Sequence, residues 1–387
     1  MSFQARLSAR TAHLREAGIL RQLTLKVAAY PDGLNLGQGV CDLEMPPLLR
    51  AAAVDSLFKD RATYTPFAGV PELRDAIRKR TERRYGLDYA DDEVVVTVGS
   101  SMAYTAVVMT LCDPGDEVVL FEPFYPYHRS LAMLAGAVVK PVRLDHDGVD
   151  WDGLAAALGP KTRLVVVNTP SNPLGKVWTR AELDRLAALL APTNAVVVTD
   201  EIYEDLVYDG RTHLPPATLS ALYPRTVTIS GISKAYSVTG WRIGWLCAPK
   251  ELARAIGPVF DVMAVCAPRP LQAAAAAALR ELPETYYTTL RDGYARRRDR
   301  MATALRSGGF RVREPHGAYY MLADYSDRFG DVEPLAASMA LLDEIHVAAI
   351  PGDIFFSGSA PRRIRFHYAV EEPVLDEVAR RLAKPRR

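Results

Sequence analysis

Short apolar segments rich in valine and isoleucine recur through the middle of the chain and constrain its fold more than any other feature. Six of them fall between residues 93 and 248: EVVVTV, EVVLF, RLVVVN, AVVVTD, TVTIS and WRIGWLCA. Amphipathic helical patterns separate several of these segments, as in RAELDRLAALLA at residues 180–191. Nearly continuous apolar strands that alternate with helices are typical of a mostly parallel sheet covered by helices on both faces. We therefore predict an α/β fold.

The pattern changes near residue 284. A long amphipathic stretch, ETYYTTLRDGYARRRDRMATALRSG, leads into FRVRE, AYYMLAD, HVAAIP and RRIRFHYAV, with helical patterns at residues 334–344 and 373–383. This order predicts a smaller α+β domain joined to the large one by a long helix. We place an N-terminal arm and the start of the small domain at residues 1–45, the large domain at 46–285 and the C-terminal small domain at 286–387. We expect the polar arm, about the first 30 residues, to pack back on the body of the protein.

Composition excludes several classes of function. The chain has 387 residues, 49% of them hydrophobic and 24% charged, as in an ordinary globular protein of two or three domains. A net charge of +1 gives no field that would collect nucleic acid or an anionic membrane. We therefore expect the basic runs at residues 296–298 and 384–387 to be solvated surface.

Cysteine and histidine usage indicates a cytoplasmic protein without a metal site. The four cysteines lack CxxC spacing and no secretory signal precedes them, so we expect reduced thiols in a cytosol. The seven histidines lack the spacing of metal ligands. No apolar run is long enough for a membrane span.

Ligands of open α/β sheets bind beyond the carboxyl ends of the strands, so the residues that follow the predicted strands are the candidate site. Gly99, Ser100 and Ser101 open a helix; such a turn cradles a phosphate, although an ordinary helix start has the same sequence. Tyr125 follows a proline turn and either stacks on a flat ring or fills an edge of the core. Asn172, in TPSNPLG, either presents its amide to a ligand or serves the turn alone.

Two further strand ends carry charged side chains. Asp200 ends an apolar strand, where an uncompensated carboxylate costs several kcal/mol, so it requires a cationic partner or hydrogen-bond donors. Tyr203 brings a phenol to the same place. Lys234 lies among small residues in SGISKAYSVTGWRIGW, with Arg242 in the same stretch. Apolar surroundings and a second cation favour the neutral, nucleophilic form of a lysine.

Together these strand ends suit a phosphorylated aromatic aldehyde with a basic ring nitrogen. Asp200 would keep the ring nitrogen protonated, which makes the ring an acceptor of electrons. Lys234 would form a Schiff base with the aldehyde.

The chain resembles the class I/II, fold type I aminotransferases that depend on pyridoxal 5'-phosphate, and most closely the branch of kynurenine and glutamine transaminases. The likeness runs from about residue 18 to residue 383 and is carried by LNLGQG, YTPFAGVPELR, TPSNPLGKV, TDEIYEDLVYDG, SKAYSVTGWRIGW and RIRFHYAV. It implies the fold type I architecture, with a large domain around a mostly parallel sheet and a smaller α+β domain. It also implies a homodimeric enzyme that moves an amino group between an L-amino acid and a 2-oxo acid by a ping-pong mechanism.

The resemblance further implies how the cofactor is held. Lys234 would be the Schiff-base lysine and would shuttle the proton. Asp200 would pair with the ring nitrogen, Tyr203 and Asn172 would hydrogen-bond the ring oxygen, and Tyr125 would stack on the ring. The cofactor phosphate would be bound by Ser100, Ser101, Ser233, Arg242 and Tyr64, the last of these from the second subunit. Ser233 and Ser230 are both candidates, because the serine that often binds phosphate three positions before the lysine is Gly231 here.

The substrate's α-carboxylate would be bound by Arg365 in a bidentate pair, with help from Asn172 and the backbone of Gly39. By itself, Arg365 could also be an arginine on the surface of a strand. Its neighbours Ile364 and Phe366 would lie on the opposite face of that strand.

Departures from the family pattern concern the substrate. Val40, Val265 and Cys266 stand where larger side chains are common, which would leave less side-chain volume on the substrate side of the pocket. Arg269 either reaches the neighbouring subunit's cofactor phosphate or a second substrate carboxylate, or begins a helix in solvent. Glu44 either attracts a cationic substrate or is a surface acid.

Two other functions stay open at this point. The same scaffold supports a lyase (cysteine-conjugate β-elimination), a cyclase or an oxidase, all of which share the carbanion at the substrate's α-carbon. A non-catalytic cofactor-binding regulator is disfavoured, because such proteins append a DNA-binding domain and the residues before Leu34 leave no room for one.

Overall fold

The computed structural model describes residue 8, residues 10–11, residue 14, residues 17–358 and residues 360–383. The predicted basic tail at 384–387 and most of the arm before residue 17 lie outside these residues. The helices are α1 (Ala17–Val27), α2 (Pro47–Lys59), α3 (Pro71–Tyr85), α4 (Ser100–Leu111), α5 (Pro126–Leu134), α6 (Trp151–Ala157), α7 (Arg180–Leu190), α8 (Lys250–Ala264), α9 (Arg269–Glu281), α10 (Glu284–Ser307), α11 (Ser326–Phe329), α12 (Pro334–Ile345) and α13 (Glu372–Leu382). The strands are β1 (Leu34–Asn35), β2 (Val94–Thr97), β3 (Glu117–Glu122), β4 (Val138–Arg143), β5 (Thr162–Asn168), β6 (Val196–Asp200), β7 (Thr226–Gly231), β8 (Gly244–Cys247), β9 (Tyr320–Asp324), β10 (Val347–Ala348), β11 (Ile350–Pro351) and β12 (Arg363–His367).

The large sheet has seven strands in the order β2-β8-β7-β6-β5-β3-β4. Strand β8 is antiparallel to both of its neighbours, and the other adjacent pairs are parallel. Successive side chains point to opposite faces of a strand. Accordingly, Val118 and Val166 belong to a buried cluster with α4 and α8, whereas Val119 and Val165 belong to another with α7. Helices therefore cover both faces, and the predicted α/β fold with a mostly parallel sheet is confirmed.

Two strand predictions need correction. The edge strand β4 was missed, because it contains Lys140 and Pro141. Five of its six residues are only partly buried or exposed, as is common at a sheet edge. The segment FRVRE was expected to be a strand, but it forms only an isolated bridge between Arg311 and Asp324. Its alternation is short, and Pro315, which follows directly, cannot donate to a ladder.

The remaining strands form two small sheets. Strands β11, β12 and β9 make an antiparallel sheet, and β1 pairs with β10 in parallel. The predicted strand HVAAIP is divided between them, since β10 and β11 belong to different sheets. The long helix α10 was predicted correctly and contributes Tyr294, Met301 and Leu305 to the cluster beneath the antiparallel sheet. The domain boundaries at residues 45 and 285 stay a prediction.

The basic run at residues 296–298 is only partly solvated. Arg296 is exposed, but Arg298 is buried and its Nη1 lies 2.6 Å from Oδ2 of Asp209. The expectation of a fully solvated face was therefore wrong for Arg298. Separately, a search of the described helices found none with the length and apolar character that a membrane crossing requires.

Candidate active site

A cavity of about 920 Å³ lies at the carboxyl edge of the large sheet. Eleven of the twelve predicted site residues line it: Gly39, Ser100, Ser101, Tyr125, Asn172, Asp200, Tyr203, Ser233, Lys234, Arg242 and Arg365. The twelfth, Tyr64, is 80% exposed and is absent from the residues that line the cavity of its own chain.

The topology of the sheet explains why distant residues meet here. Ser100 follows β2, Tyr125 follows β3, Asn172 follows β5, Asp200 ends β6 and Lys234 follows β7. These strands run in one direction, so their carboxyl ends form a single edge of the sheet. Arg242 precedes the antiparallel strand β8 and thus reaches the same edge.

The start of α4 forms a cradle for an anion. Gly99 precedes the helix with φ +76°, and no side chain caps the first N–H groups, those that a helix leaves unpaired. A Cβ added at Gly99 would lie 2.4 Å from Nη2 of Arg242, so glycine lets the guanidinium approach the helix start. Arg242 donates from Nη1 to the carbonyl of Thr239 at 3.1 Å. This combination of a cation, free N–H groups and the hydroxyls of Ser100 and Ser101 fits a phosphate group.

The two candidate serines near Lys234 are separated by the structure. Ser233 lines the cavity. The hydroxyl of Ser230 instead donates to Oε1 of Glu204 at 3.0 Å and faces away from the cradle. Ser233 is therefore the one placed to reach a phosphate.

Asp200 is buried and has the partners that its position requires. Its Oδ2 lies 3.0 Å from Nε2 of His128, and its Oδ1 accepts a hydrogen bond from the backbone N–H of Ile202 at 3.2 Å. His128 was not predicted from the sequence; it lies on α5 one turn after Tyr125, with the two ring centroids 5.3 Å apart. Spacing by three residues on a helix was the signal that could have indicated that both rings face the same site. The carboxylate is thus held in place to pair with a protonated ring nitrogen.

Phenol groups surround the centre of the cavity. Tyr203 donates to the hydroxyl of Tyr320 at 3.1 Å. Burial raises the pKa of Tyr203 and of Tyr125, so both phenols stay protonated at neutral pH. The single hydroxyl proton of Tyr203 can therefore turn from Tyr320 to an oxygen on a bound ring.

The amine of Lys234 lies inside the cavity and donates from Nζ to the carbonyl of Gly39 at 3.2 Å. The same carbonyl accepts a hydrogen bond from Tyr319 at 3.0 Å. A Cβ at Gly39 would lie 1.9 Å from the hydroxyl of Tyr320, so residue 39 must be glycine for the loop to come this close. The loop before α2 thus reaches the lysine amine through a backbone carbonyl.

Arg365 is buried and aimed into the cavity. Its Nη1 donates to Oδ1 of Asn172 at 2.9 Å and its Nη2 to the carbonyl of Gly37 at 2.7 Å. The guanidinium also stacks on Tyr320, 4.3 Å from the ring centroid, and on Phe355, at 5.0 Å. Its buried Nε finds no acceptor among the described residues. This planar, pre-oriented group suits a carboxylate. The glycine carbonyl that contacts Arg365 is that of Gly37, whereas the carbonyl of Gly39 accepts from Lys234.

Several residues named for the substrate side lie elsewhere. Val40 lines the cavity, but Val265 and Cys266 do not, so within one chain the pocket is thinned only at Val40. Glu44 is exposed, and neither it nor Arg269 lines the cavity. Helix α1 contributes Arg21 and Thr24, which the sequence analysis did not identify.

A buried ion-pair network includes Asp205, the residue that follows Glu204 in the chain. Arg80 donates from Nη2 to both carboxylate oxygens of Asp205 at 2.8 Å, and both side chains are nearly inaccessible. Burial opposes ionisation of Asp205, but the guanidinium groups of Arg80 and Arg84 outweigh it and hold its pKa below the ordinary value. The network ties α3 to the loop that follows Asp200.

Fold and site together define an enzyme that works on a phosphorylated, ring-bearing cofactor. The chain belongs to the aminotransferase class I and II family, whose sequence model matches residues 31–382. It is a pyridoxal-phosphate-dependent aminotransferase of fold type I, as the sequence analysis predicted. The likeness to the kynurenine and glutamine transaminase branch stays a prediction.

Three known proteins illustrate the relationship. The chain is similar to the structure of a methionine aminotransferase from Escherichia coli, with 32% identity, a TM-score of 0.93 and coverage of 98% of this chain and 100% of that one. It is similar to the structure of N-succinyldiaminopimelate aminotransferase from Mycobacterium tuberculosis, with 36% identity, a TM-score of 0.91 and coverage of 98% and 99%. It is 34% identical to the aspartate/prephenate aminotransferase of Thermus thermophilus over 91% of each chain.

Proposed function

We propose that this enzyme transfers an amino group between an L-amino acid and a 2-oxo acid with Lys234 as the residue that reacts and moves the proton. The observation that carries the proposal is the meeting, in one cavity, of the Lys234 amine, the buried Asp200 carboxylate, the cradle at α4 and the Arg365 guanidinium. Bound pyridoxal phosphate supplies an aldehyde carbon for the amine and a ring that takes up the electrons of the broken bond.

The residues that would hold the cofactor each act at a stated atom. Ser100, Ser101, Ser233 and Arg242 bind the phosphate at the start of α4, and Tyr125 covers one face of the ring. Asp200, held by His128, keeps a proton on the ring nitrogen. Tyr203 donates to the ring oxygen. Asn172 uses Oδ1 to accept from Arg365, which leaves its amide NH₂ to donate to the same oxygen.

The substrate is oriented by Arg365 and deprotonated by Lys234. The guanidinium binds the α-carboxylate, with Asn172 and the backbone at Gly37 to Gly39 fixing its plane. The α-carbon would then lie between Arg365 and Lys234, whose Nζ would take the proton from that carbon and deliver it to the aldehyde-derived carbon of the cofactor. Tyr203 and Tyr319 limit the movement of that amine, since their ring centroids lie 5.8 and 5.5 Å from Nζ.

In a homodimer, Tyr64 of one subunit would complete the cavity of the other, since it does not line the cavity of its own chain. Large apolar side chains are exposed on the same chain, among them Phe58 at 86% and Val262 at 89%. A contiguous exposed apolar patch marks a protein interface, and we propose that these side chains form one that a second copy covers, which places Tyr64 at the neighbouring phosphate. Sedimentation of the purified protein tests the dimer, and loss of cofactor affinity in Tyr64→Phe tests the shared phosphate.

We also propose that the enzyme is cytoplasmic. Its four cysteines are all free thiols, and Cys41, Cys112 and Cys247 are buried. Reduced thiols persist in the cytosol. Fractionation of cells that express the protein tests this location.

The activity is tested by spectral titration of the holoprotein with a panel of amino acids, followed by a 2-oxo acid. Transamination requires that the amino acid converts the cofactor to its amine form and that the 2-oxo acid restores it. Ammonia release without an acceptor would instead indicate elimination. Borohydride reduction and peptide mapping should place the cofactor on Lys234, and a label elsewhere would refute that assignment. Lys234→Ala serves as the inactive control.

A further inference from the structure

Helix α1 forms one wall of the active-site cavity. Gly18, Arg21 and Thr24, spaced three residues apart, line the cavity together with Leu14, which precedes the helix. This spacing places the three on one face of the helix. Leu23 and Val27 are buried in a cluster that includes Ile354 and Phe355. The helix is therefore anchored beside the antiparallel sheet, with Arg21 turned toward the site.

Arg21 is a cation that the cofactor chemistry does not use. Within the described part of the chain, the charged residues lining the cavity are four cations, Arg21, Lys234, Arg242 and Arg365, and one acid, Asp200. Three of the cations already have a proposed partner, and Asp200 is engaged by His128. Among the residues that the structure describes, none forms an ion pair or a hydrogen bond with the Arg21 side chain. One cationic group in the cavity is thus left for a ligand.

The position of Arg21 relative to Arg365 indicates which part of a ligand it would meet. Phe355 stacks on the Arg365 guanidinium, which binds the α-carboxylate in the proposed function. Phe355 and its neighbour Ile354 also line the cavity and pack against α1. A substrate side chain that left the α-carbon along these apolar groups would reach the wall formed by α1, which carries Arg21.

We propose that Arg21 binds an oxyanion at the end of the substrate side chain. The enzyme would then prefer L-amino acids, and the matching 2-oxo acids, that carry a distal carboxylate or phosphonate. An arginine pairs with either group through two parallel hydrogen bonds. Cationic side chains would be repelled, and Glu44, which is exposed and outside the cavity wall, does not attract them. This inference rests on the proposed function for the placement of the α-carboxylate.

Binding of unreactive acids tests the inference without any turnover. Calorimetry of the holoprotein compares glutarate and 4-phosphonobutyrate, which carry a second anion, with valerate, which does not. Arg21→Gln should weaken at least one of the dianions by roughly 10- to 100-fold and leave valerate unchanged, because one charge-assisted pair is lost. Lys26→Gln removes the same charge from the same helix but outside the cavity, and should change all three affinities less than about twofold. The dianion whose binding affinity falls more in Arg21→Gln identifies the preferred oxyanion.

Kinetics provide the second readout. The ratio of kcat/KM for L-glutamate to that for its neutral isostere L-glutamine should fall roughly 10- to 100-fold in Arg21→Gln. Arg21→Asp should reverse the preference toward L-lysine or L-arginine. If Arg21→Gln binds both dianions as the native protein does, the inference is wrong even though transamination proceeds. If the dianions lose affinity but no amino acid is converted, Arg21 is an oxyanion site and the proposed transamination fails.

Discussion

The imidazole Nε2 of His128 lies 3.0 Å from Oδ2 of Asp200, with both side chains buried. Asp200 ends β6 and His128 lies on α5, so the pair joins the sheet to a helix that covers it. A buried carboxylate with a single imidazole partner and one backbone donor is sensitive to the loss of either.

Replacement of His128 by Phe should therefore reduce kcat about 10- to 100-fold with little change in KM, because Asp200 would no longer be held against the ring nitrogen. Steady-state kinetics and the absorption spectrum of the bound cofactor measure the effect. Tyr104→Phe is the matched control, since its hydroxyl reaches only the backbone carbonyl of His128. An unchanged spectrum and kcat in His128→Phe would exclude the positioning role.

Replacement of Arg365 by Lys should raise KM for both the amino acid and the 2-oxo acid by roughly 10- to 100-fold. An ammonium group cannot pair with a carboxylate in two parallel bonds while it also holds Asn172 and the carbonyl of Gly37. Arg362→Lys, in an exposed ion pair with Asp331 at the start of the same segment, should leave both constants unchanged. Equal behaviour of the two variants would contradict the assignment of Arg365.

Replacement of Gly99 by Ala should weaken binding of pyridoxal phosphate. The new methyl group would lie 2.4 Å from Nη2 of Arg242 and force the guanidinium away from the helix start. Gly115→Ala has a similarly positive φ, +92°, but meets no atom within 4 Å. It therefore measures the backbone strain alone, about 1–2 kcal/mol. Fluorescence titration of the apoproteins should show a large loss of affinity for Gly99→Ala only.

Replacement of Asp205 by Ala should lower the free energy of unfolding by about 3–5 kcal/mol, because buried Arg80 would lose its two short bonds to that carboxylate and keep only Glu204, at 3.8 Å, as a counter-charge. Asp184→Ala removes the acid of an exposed pair with Arg180 and should cost less than about 1 kcal/mol. Denaturant unfolding at a fixed protein concentration compares the two. Similar losses would show that the buried network contributes no more than a surface pair.

Stability should fall as the pH is lowered below about 6.5, and His367 supplies part of that fall. Burial, with the nearby charge of Arg365, lowers the pKa of His367 from 6.5 to about 3. The unfolded chain therefore binds a proton that the folded protein excludes, so this contribution is fully present above the unfolded value. It is lost at about 1.4 kcal/mol per pH unit as the pH falls toward 3. His367→Gln should flatten the unfolding free energy between pH 6.5 and 4, and a profile parallel to that of the native protein would contradict the assignment.

The sequence indicated candidate site residues best where a predicted strand ends at an unusual functional group. That Asp200 and Lys234 lie at the cavity could be predicted, because a buried strand that ends in an acid, and a lysine among small residues, are unusual whatever the fold. The partners of His128 and Tyr320 could not be predicted, since these contacts join residues 72 and 117 positions apart in the chain. Strand β4 was missed because an edge strand with a proline lacks the apolar run that marks the central strands. Arg21 could not be identified from a polar helix until the helix was packed against the cavity.

The groups that would hold the cofactor lie at one edge of the large sheet, whereas the wall that we assign to the substrate side chain comes from α1 and Val40, outside that sheet. Exchanges at positions such as 21 and 40 therefore leave the hydrophobic packing of that sheet untouched. Substitutions there can change the substrate specificity while the catalytic residues stay the same. The chemistry and the choice of substrate can therefore evolve independently within one chain.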